Sequence, residues 1–290
     1  DDNDLTGNLP SEIGLATNLI KFLADDNNFE STIPPELGNT AMMLEELDLE
    51  GNKLEGPIPE SFGNLTNLIS LDLEGNYFLN ETIPLGVWLL PNLEDLILEF
   101  NYFTGTIPPE IGMSTSLRVL NLMENFMVNT LPTELGNVTS LVEILLEENR
   151  FTGTLPVELA NLDELVELNL EDNDIIGMIP VAYWTDLTNL TLLNLEGNDL
   201  TGTLPTFAGL ATNLLFLDLS DNKLSGSLPS NIGNLLNLFD LDLRGNKLTG
   251  TLPTEMARML SLEYLWLDNN TGLTGPIPSE LASLENLQSI

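Results

Sequence analysis

The chain has 290 residues, of which 45 are acidic and eight are lysine or arginine, giving a net charge of −37. Such a charge repels phosphate backbones and anionic lipid surfaces, so it argues against nucleic-acid binding and against binding to acidic membranes. Cysteine and histidine are absent, which excludes disulfides, cysteine or histidine metal sites and histidine-based nucleophilic catalysis.

An asparagine recurs about every 24 residues along the chain, and this period predicts a solenoid of stacked repeats. Because the period never breaks, residues 1–290 are predicted to form a single domain of about twelve coils. The recurring asparagines are Asn3, Asn27, Asn52, Asn76, Asn101, Asn125, Asn149, Asn173, Asn198, Asn222, Asn246 and Asn270.

Each repeat begins with a short predicted strand in which leucines alternate with polar residues, so the leucines face inward. The asparagine that follows the strand is predicted to hydrogen-bond the backbone of its turn and of neighbouring coils, forming a ladder. A Leu-Thr-Gly-Thr-Leu-Pro segment comes next, as at 200–205 and 248–253. Its glycine permits a close backbone approach, and its proline starts an irregular or helical turn.

The consensus LxxLxLxxNxLTGxLPxELGNL resembles the plant-type leucine-rich repeats of receptor-kinase ectodomains and polygalacturonase-inhibiting proteins. Similar repeats occur in algal and diatom surface proteins. The resemblance covers essentially all 290 residues. It implies an α/β solenoid, a right-handed superhelix with short parallel strands on the concave face and irregular or 3-10 turns on the convex face. A second, shorter strand set is implied in the LTGxLP segments.

Neither end carries the cysteine-bearing cap that the plant proteins have, so both terminal caps are expected to be absent. Asp1 falls in the middle of a repeat, and Ile290 lies four residues into the next strand. Two interpretations stay open. The sequence is part of a longer chain, or its open ends associate end to end and form a filament by heterologous contact.

Carboxylates follow or lie between the strand leucines in most repeats and form a column on the predicted concave face. Neighbouring strands lie about 4.8 Å apart, so adjacent carboxylates repel by roughly 0.8 kcal/mol per pair in water. A bound cation would relieve this repulsion, and hard cations prefer oxygen ligands. The sequence therefore predicts a calcium site at Asp48, Glu50, Asp72 and Glu74; the alternative is an acidic, solvated surface that holds no ion.

Aromatic residues occupy several outward positions where a polar residue is expected. Tyr264 and Trp266 lie two apart on one strand, so they share a face. Exposed aromatics beside a polar rim often mark binding surfaces. The predicted binding residues on the concave face are Phe100, Phe216, Tyr264 and Trp266. The alternative is that further C-terminal repeats cover these side chains.

Five Asn-X-Thr sequons are candidate N-glycosylation sites: Asn64, Asn80, Asn137, Asn189 and Asn269. Together with the plant-type repeats they favour an extracellular or cell-surface location. The sequence contains no run of about 18 apolar residues, so no membrane span is predicted.

No carboxylate pair is singled out for glycoside hydrolysis, because the acidic column offers suitable separations in every repeat. We therefore expect no enzymatic activity. The predicted function is extracellular recognition or adhesion, with a protein or glycan bound by the acidic concave face. The alternative is a structural subunit that stacks head to tail into a surface layer or a glycosylated fibre.

Overall fold

The computed structural model describes residues 2–40, 43–78 and 81–290. Contacts within the chain divide it into two compact units, residues 1–150 and 151–290. Each unit consists of short parallel strands connected by turns and single helical turns. This confirms the predicted leucine-rich-repeat solenoid with parallel strands and mostly 3-10 turns.

In the first unit, one short strand per coil joins a parallel sheet, here called the first main sheet. Its strands, hydrogen-bonded in chain order, are Lys21–Leu23, Glu46–Asp48, Ser70–Asp72, Asp95–Ile97, Val119–Asn121 and Glu143–Leu145. The second strand set comprises Thr6–Asn8, Asn28–Ser31, Lys53–Leu54, Thr104–Gly105 and Phe126–Thr130. The 3-10 turns are Ser11–Leu15, Glu60–Asn64, Pro109–Met113 and Thr133–Asn137, and the α-helices are Glu36–Thr40 and Leu85–Trp88.

The second unit repeats this arrangement, and its main strands are here called the second main sheet. The strands are Glu167–Asn169, Leu192–Asn194, Phe216–Asp218, Asp240–Asp242 and Tyr264–Trp266. The second strand set comprises Arg150–Thr154, Asp174–Gly177, Asp199–Leu200, Ser225–Gly226, Lys247–Gly250 and Gly272–Leu273. The 3-10 turns are Val157–Asn161, Thr206–Leu210, Ser230–Asn234, Thr254–Arg258 and Ser279–Ser283, and the α-helix is Val181–Thr185.

Leucine dominates the core of each unit because the strand alternation sends every second side chain inward. Leu241 and Leu243 are buried on either side of Asp242, as the sequence predicts. Turn residues such as Ile232 close the coil from the opposite side and are fully buried. The first and third residues of each main strand consequently face away from the core; most are half-buried, and Asn121 and Asp242 are buried.

The predicted asparagine ladder is present from Asn27 to Asn270, with every member buried. In a representative coil, Asn222 Nδ2 donates to Leu195 O of the preceding coil at 2.8 Å and to Ser220 O at 2.9 Å. Asn222 Oδ1 accepts the Leu200 N–H at 2.9 Å. One buried amide thus satisfies backbone groups of two coils, which closes the turn and stacks the repeats.

None of the described helices is long and apolar enough to cross a membrane.

Replacing a ladder amide should be costly because it leaves buried backbone groups of two coils without partners. We expect Asn222→Ala to lower the free energy of unfolding by roughly 2–4 kcal/mol. Asn237 provides the control, since its Nδ2 also bonds the preceding coil, at Thr212 O, but on the exposed surface. Asn237→Ala should cost less than about 1 kcal/mol. Urea unfolding followed by circular dichroism measures both, and equal losses would contradict the ladder's role.

Candidate functional site

In several coils the third residue of the main-sheet strand is Asp or Asn, and its side chain accepts a backbone N–H of the same coil. Asp48 Oδ1 accepts the N–H of Glu50 at 3.1 Å, and Asp242 Oδ1 accepts that of Arg244 at 3.0 Å. The same bond to the residue two places on is made by Asp72, Asn121, Asn169, Asn194 and Asp218. Local bonds of this kind set the bend at the strand end. This structural role was not predicted from the sequence, although the recurrence of Asp or Asn at one strand position signals it.

The carboxylates of the first main sheet are crowded and partly buried. Burial, together with the charges of Asp48, Glu50 and Glu99, raises the pKa of Asp72 to about 7, against the opposing hydrogen bond from the Glu74 backbone. The pKa of Glu74 rises to about 8, first through burial and then through a hydrogen bond with Glu99 and repulsion by that residue. Desolvation favours the neutral form of a carboxyl group.

Three of the four predicted calcium ligands converge. Asp48, Glu50 and Asp72 place one carboxylate oxygen each within 4.8 Å of one another, and all three are half-buried. The structure does not bring Glu74 into this group, because its carboxyl group bonds Glu99 of the next coil. The trio offers oxygen ligands suited to calcium or magnesium.

The second main sheet contains a comparable row of acids. Burial raises the pKa of Glu196 to about 7, with further contributions from Asp218 and Glu171. The Glu171 carboxylate is also held by the next coil, where Asn194 Nδ2 donates to its Oε2 at 2.7 Å. Burial likewise raises the pKa of Asp218. Asn169 and Asn194 take the strand position that Asp218 and Asp242 occupy in the next two coils, so two of these four coils carry no acid there.

These shifts predict how stability depends on pH. In the folded protein the pKa values of Asp72 and Glu74 lie at about 7 and 8, above their ordinary values of 3.8 and 4.5. Within that window the folded chain holds more protons than the unfolded chain, so the free energy of unfolding falls as pH rises.

We therefore expect a lower melting temperature at about pH 8 than at about pH 5, measured without divalent cations. Asp72→Asn should flatten this dependence, because the amide keeps the acceptor for the Glu74 N–H and loses the titrating charge. Glu164→Gln, at an exposed position, is the control and should leave the slope unchanged. A slope that is the same in Asp72→Asn and the unmodified protein would contradict the assignment.

Aromatic side chains form one continuous surface on the second main sheet, here called the aromatic patch: Phe216, Phe239, Tyr264 and Trp266. Ring centroids lie 5.5 Å apart between Phe216 and Phe239 and 5.4 Å apart between Phe239 and Tyr264. The Tyr264 and Trp266 rings are stacked at 6.2 Å. The structure therefore brings together three of the four predicted binding residues and adds Phe239, which immediately precedes its strand.

Charged groups surround the patch closely. The Arg244 guanidinium lies 5.4 Å from the centre of the Trp266 ring and is held by Asp242, with Nε 2.8 Å from Oδ2. Asp240 lies between Phe216 and Tyr264 in the strand register. Its pKa is raised by burial and by the charges of Asp242 and Asp218, while Arg244 and a hydrogen bond from Trp266 oppose the shift. Leu192, Phe216 and Asp240 also line a small depression of about 180 Å³.

Phe100 is placed differently from the other predicted binding residues. It belongs to the first unit and lies in the turn after the strand, with a left-handed backbone at φ 52°. Tyr102 and Phe126, which the sequence analysis did not single out, line the same groove as Phe100. Their signal in the sequence is an aromatic residue directly after a ladder asparagine, where other repeats hold Lys or Asp, as at Lys53 and Asp174.

The predicted sequons occupy different settings. Asn64 and Asn137 are exposed at the last residue of a 3-10 turn. Asn189 is exposed, and its Nδ2 donates to Asp163 O of the preceding coil at 2.8 Å. Asn269 is exposed in a left-handed turn. Asn80 lies outside the described residues.

Comparisons with known proteins agree with this geometry. The family model described as Leucine Rich Repeat matches residues 43–65, 92–113, 189–210, 213–235, 237–259 and 261–284. The leucine-rich-repeat protein LIC12759 of Leptospira interrogans is 34% identical, with 99% of this chain and 69% of that chain covered and a TM-score of 0.81. No curated protein sequence matches the chain.

Plant receptor structures are also similar. The Arabidopsis receptor kinase HAESA, solved with the peptide hormone IDA and the co-receptor SERK1, is 30% identical with a TM-score of 0.90, covering 98% of this chain and 47% of that one. The plant peptide hormone receptor RGFR1, in complex with RGF2, is 32% identical with a TM-score of 0.87, covering 100% and 50%. The chain thus spans about half the length of these receptor structures.

Proposed function

Because this chain belongs to the leucine-rich-repeat family, we propose that it is a non-enzymatic recognition module that binds a protein ligand through the aromatic patch. The observation that carries the proposal is the unbroken contact of four aromatic rings over neighbouring strands of the second main sheet. Aromatic side chains contribute large contact areas at little conformational entropy, and they dominate the energetics of many interfaces.

The fold itself does not require these aromatic rings. At the position of Trp266, other repeats carry Asn121 or Asn194, whose side chains accept the N–H two residues on. At the position of Tyr264, another strand begins with Ser70. Phe216 is 41% exposed, so its ring contributes little to the core. A partner that covers the patch would remove this apolar surface from water.

The charge around the patch favours a basic ligand. The guanidinium of Arg244 is already bound by Asp242, so the local excess of charge remains negative through Asp218, Asp240 and Asp268. A lysine or arginine of the ligand would relieve this excess, and its aliphatic stem would pack on the rings. HAESA and RGFR1 were solved with a peptide hormone and with RGF2, respectively, which supports a peptide segment as the ligand.

An extracellular or cell-surface location and a role in adhesion belong to the same proposal. The exposure of Asn64, Asn137, Asn189 and Asn269 is compatible with N-glycosylation in a secreted protein. A glycan ligand is the second candidate, because sugar rings also stack on exposed aromatic side chains. End-to-end association into a surface layer or fibre remains the structural alternative.

The proposal predicts the outcome of a selection from a random dodecapeptide library. Enriched peptides should combine basic with aromatic residues, and Trp266→Asn should weaken their binding at least about tenfold, because interface anchors contribute about 2 kcal/mol or more. Fluorescence anisotropy of a labelled peptide measures the affinity.

Ile97→Asn is the matched control, since Ile97 ends a strand of the first main sheet just as Trp266 ends one of the second. It should leave peptide affinity unchanged. Enriched peptides that bind both variants as tightly as the unmodified protein would contradict the proposal. If no peptide is enriched and the protein instead binds a glycan array in a way that Trp266→Asn abolishes, the ligand of the aromatic patch is a glycan and not a protein.

We keep the calcium site as a separate proposal for Asp48, Glu50 and Asp72, supported by the approach of their oxygens within 4.8 Å. Calcium titrated calorimetrically at about pH 8 should bind the unmodified protein, because the acids are then largely ionised. Asp48→Asn should abolish this binding. Asp218→Asn, the same change at the same strand position in the second unit, should preserve it, and equal effects of the two changes would contradict a defined site.

A further inference from the structure

A second aromatic surface lies in the first unit, beside the turns that follow the main-sheet strands. Phe100, Tyr102 and Phe126 line a groove of about 320 Å³ together with Glu124 and Glu148, here called the side groove. The three residues are 42%, 37% and 36% exposed, respectively. Tyr102 and Phe126 contact each other, with ring centroids 5.9 Å apart at an angle of 37°. The groove thus has aromatic walls and an acidic rim.

The repeats do not need aromatic residues at these positions. Phe100 adopts φ 52° at the turn position where Gly51, Gly75 and Gly197 stand in other coils. A bulky residue with positive φ is strained. An aromatic residue here is therefore unfavourable for the turn and adds an exposed apolar ring.

Charge complementarity identifies the occupant. None of the ion pairs found between described side chains involves Glu124 or Glu148. An organic cation of the chain itself lies at the edge of the groove, where the Arg150 guanidinium is 4.7 Å from the centre of the Phe126 ring. Arg150 is not among the groove-lining residues, so the space between the rings and the two carboxylates is open to a second cation.

We infer that the side groove binds a methylated ammonium group of the choline class. A quaternary ammonium is attracted to the negative faces of aromatic rings and has no N–H groups to satisfy. Nearby carboxylates supply the balancing charge at the rim without a direct hydrogen bond. The net charge of −37 favours the approach of any cation, so the rings determine which cation is retained.

Other cations fit the groove less well. Calcium and magnesium need several oxygen ligands at close range, whereas the walls of the groove are aromatic. A primary ammonium is compact and strongly hydrated, so it must lose its water or bond the rim carboxylates instead of packing between the rings. The methylated ammonium avoids both requirements. The inference is independent of the aromatic patch, which belongs to the second unit.

The test uses choline as the probe and 3,3-dimethyl-1-butanol as its neutral isostere. In NMR titrations of the full chain, choline should shift resonances of residues around the side groove and saturate. The isostere should bind at least about tenfold more weakly, because it keeps the shape and lacks the charge. An isostere that binds as tightly as choline, or no saturable choline binding, would overturn the inference.

Two variants locate the site, and both use residues that other coils carry at the same positions. Phe100→Gly removes one ring and relieves the positive-φ strain, so the protein should remain folded. Tyr102→Asn introduces the residue found at the equivalent position of another coil, Asn28. Each should weaken choline binding by about threefold to tenfold, in proportion to one lost ring contact. Tyr77→Asn, outside the groove, is the matched control and should bind choline like the unmodified protein.

Unchanged choline affinity in both groove variants would overturn the assignment, as would an equal loss in Tyr77→Asn. A third arm titrates Nα-acetyl-lysine methyl ester, which carries a primary ammonium. We expect it to bind more weakly than choline. Tighter binding of this probe would overturn the preference for a methylated group.

Discussion

The buried amide at the end of each main-sheet strand is the interaction on which the rest of the structure depends. A solenoid coil must turn sharply at this point, and the turn leaves backbone N–H and C=O groups where water cannot reach them. Asn246 resolves this with one side chain, donating to Leu219 O and Leu243 O and accepting from Leu224 N. Asparagine suits the position because its amide carries both donors and acceptors on a short stem.

Once the ladder and the inward leucines fix the coil, the outward positions become available for other purposes. The third strand position shows this freedom and its limit. Asp or Asn is frequent there because its oxygen accepts the N–H two residues on, yet Trp266 and Ile97 replace it without interrupting their strands. The aromatic patch combines one such replacement, Trp266, with aromatic residues at the first strand position, Phe216 and Tyr264, and with Phe239 before its strand. In this architecture, surface residues that differ from the repeat consensus are therefore the best candidates for binding residues.

Most of the fold could be predicted from the sequence because a period of about 24 residues, alternating leucines and a recurrent asparagine all constrain the same coil. The same periodicity predicted that Tyr264 and Trp266 share a face. Phe239 was missed because it precedes the regular strand, where the period assigns no orientation. The side groove was missed since it combines residues from successive turns. The binding role and the candidate sites stay predictions.

Which acids form a cluster, and which have a raised pKa, also could not be predicted without the structure. Spacing alone grouped Asp48, Glu50, Asp72 and Glu74, but the direction of a glutamate side chain depends on its neighbours. Glu74 bonds Glu99 and so leaves the cluster. Periodicity also could not distinguish an acid that holds the turn from an acid with a raised pKa. Asp72 is both, because its Oδ1 accepts the Glu74 N–H and burial raises its pKa to about 7.

A crystal structure of the protein with a peptide selected for binding would show directly whether the aromatic patch holds the ligand. We expect peptide density across the strands of the second main sheet, with an apolar side chain on Tyr264 and Trp266 and a basic group beside Asp240. Density confined to the second strand set or to the 3-10 turns, with the aromatic patch left uncovered, would contradict it.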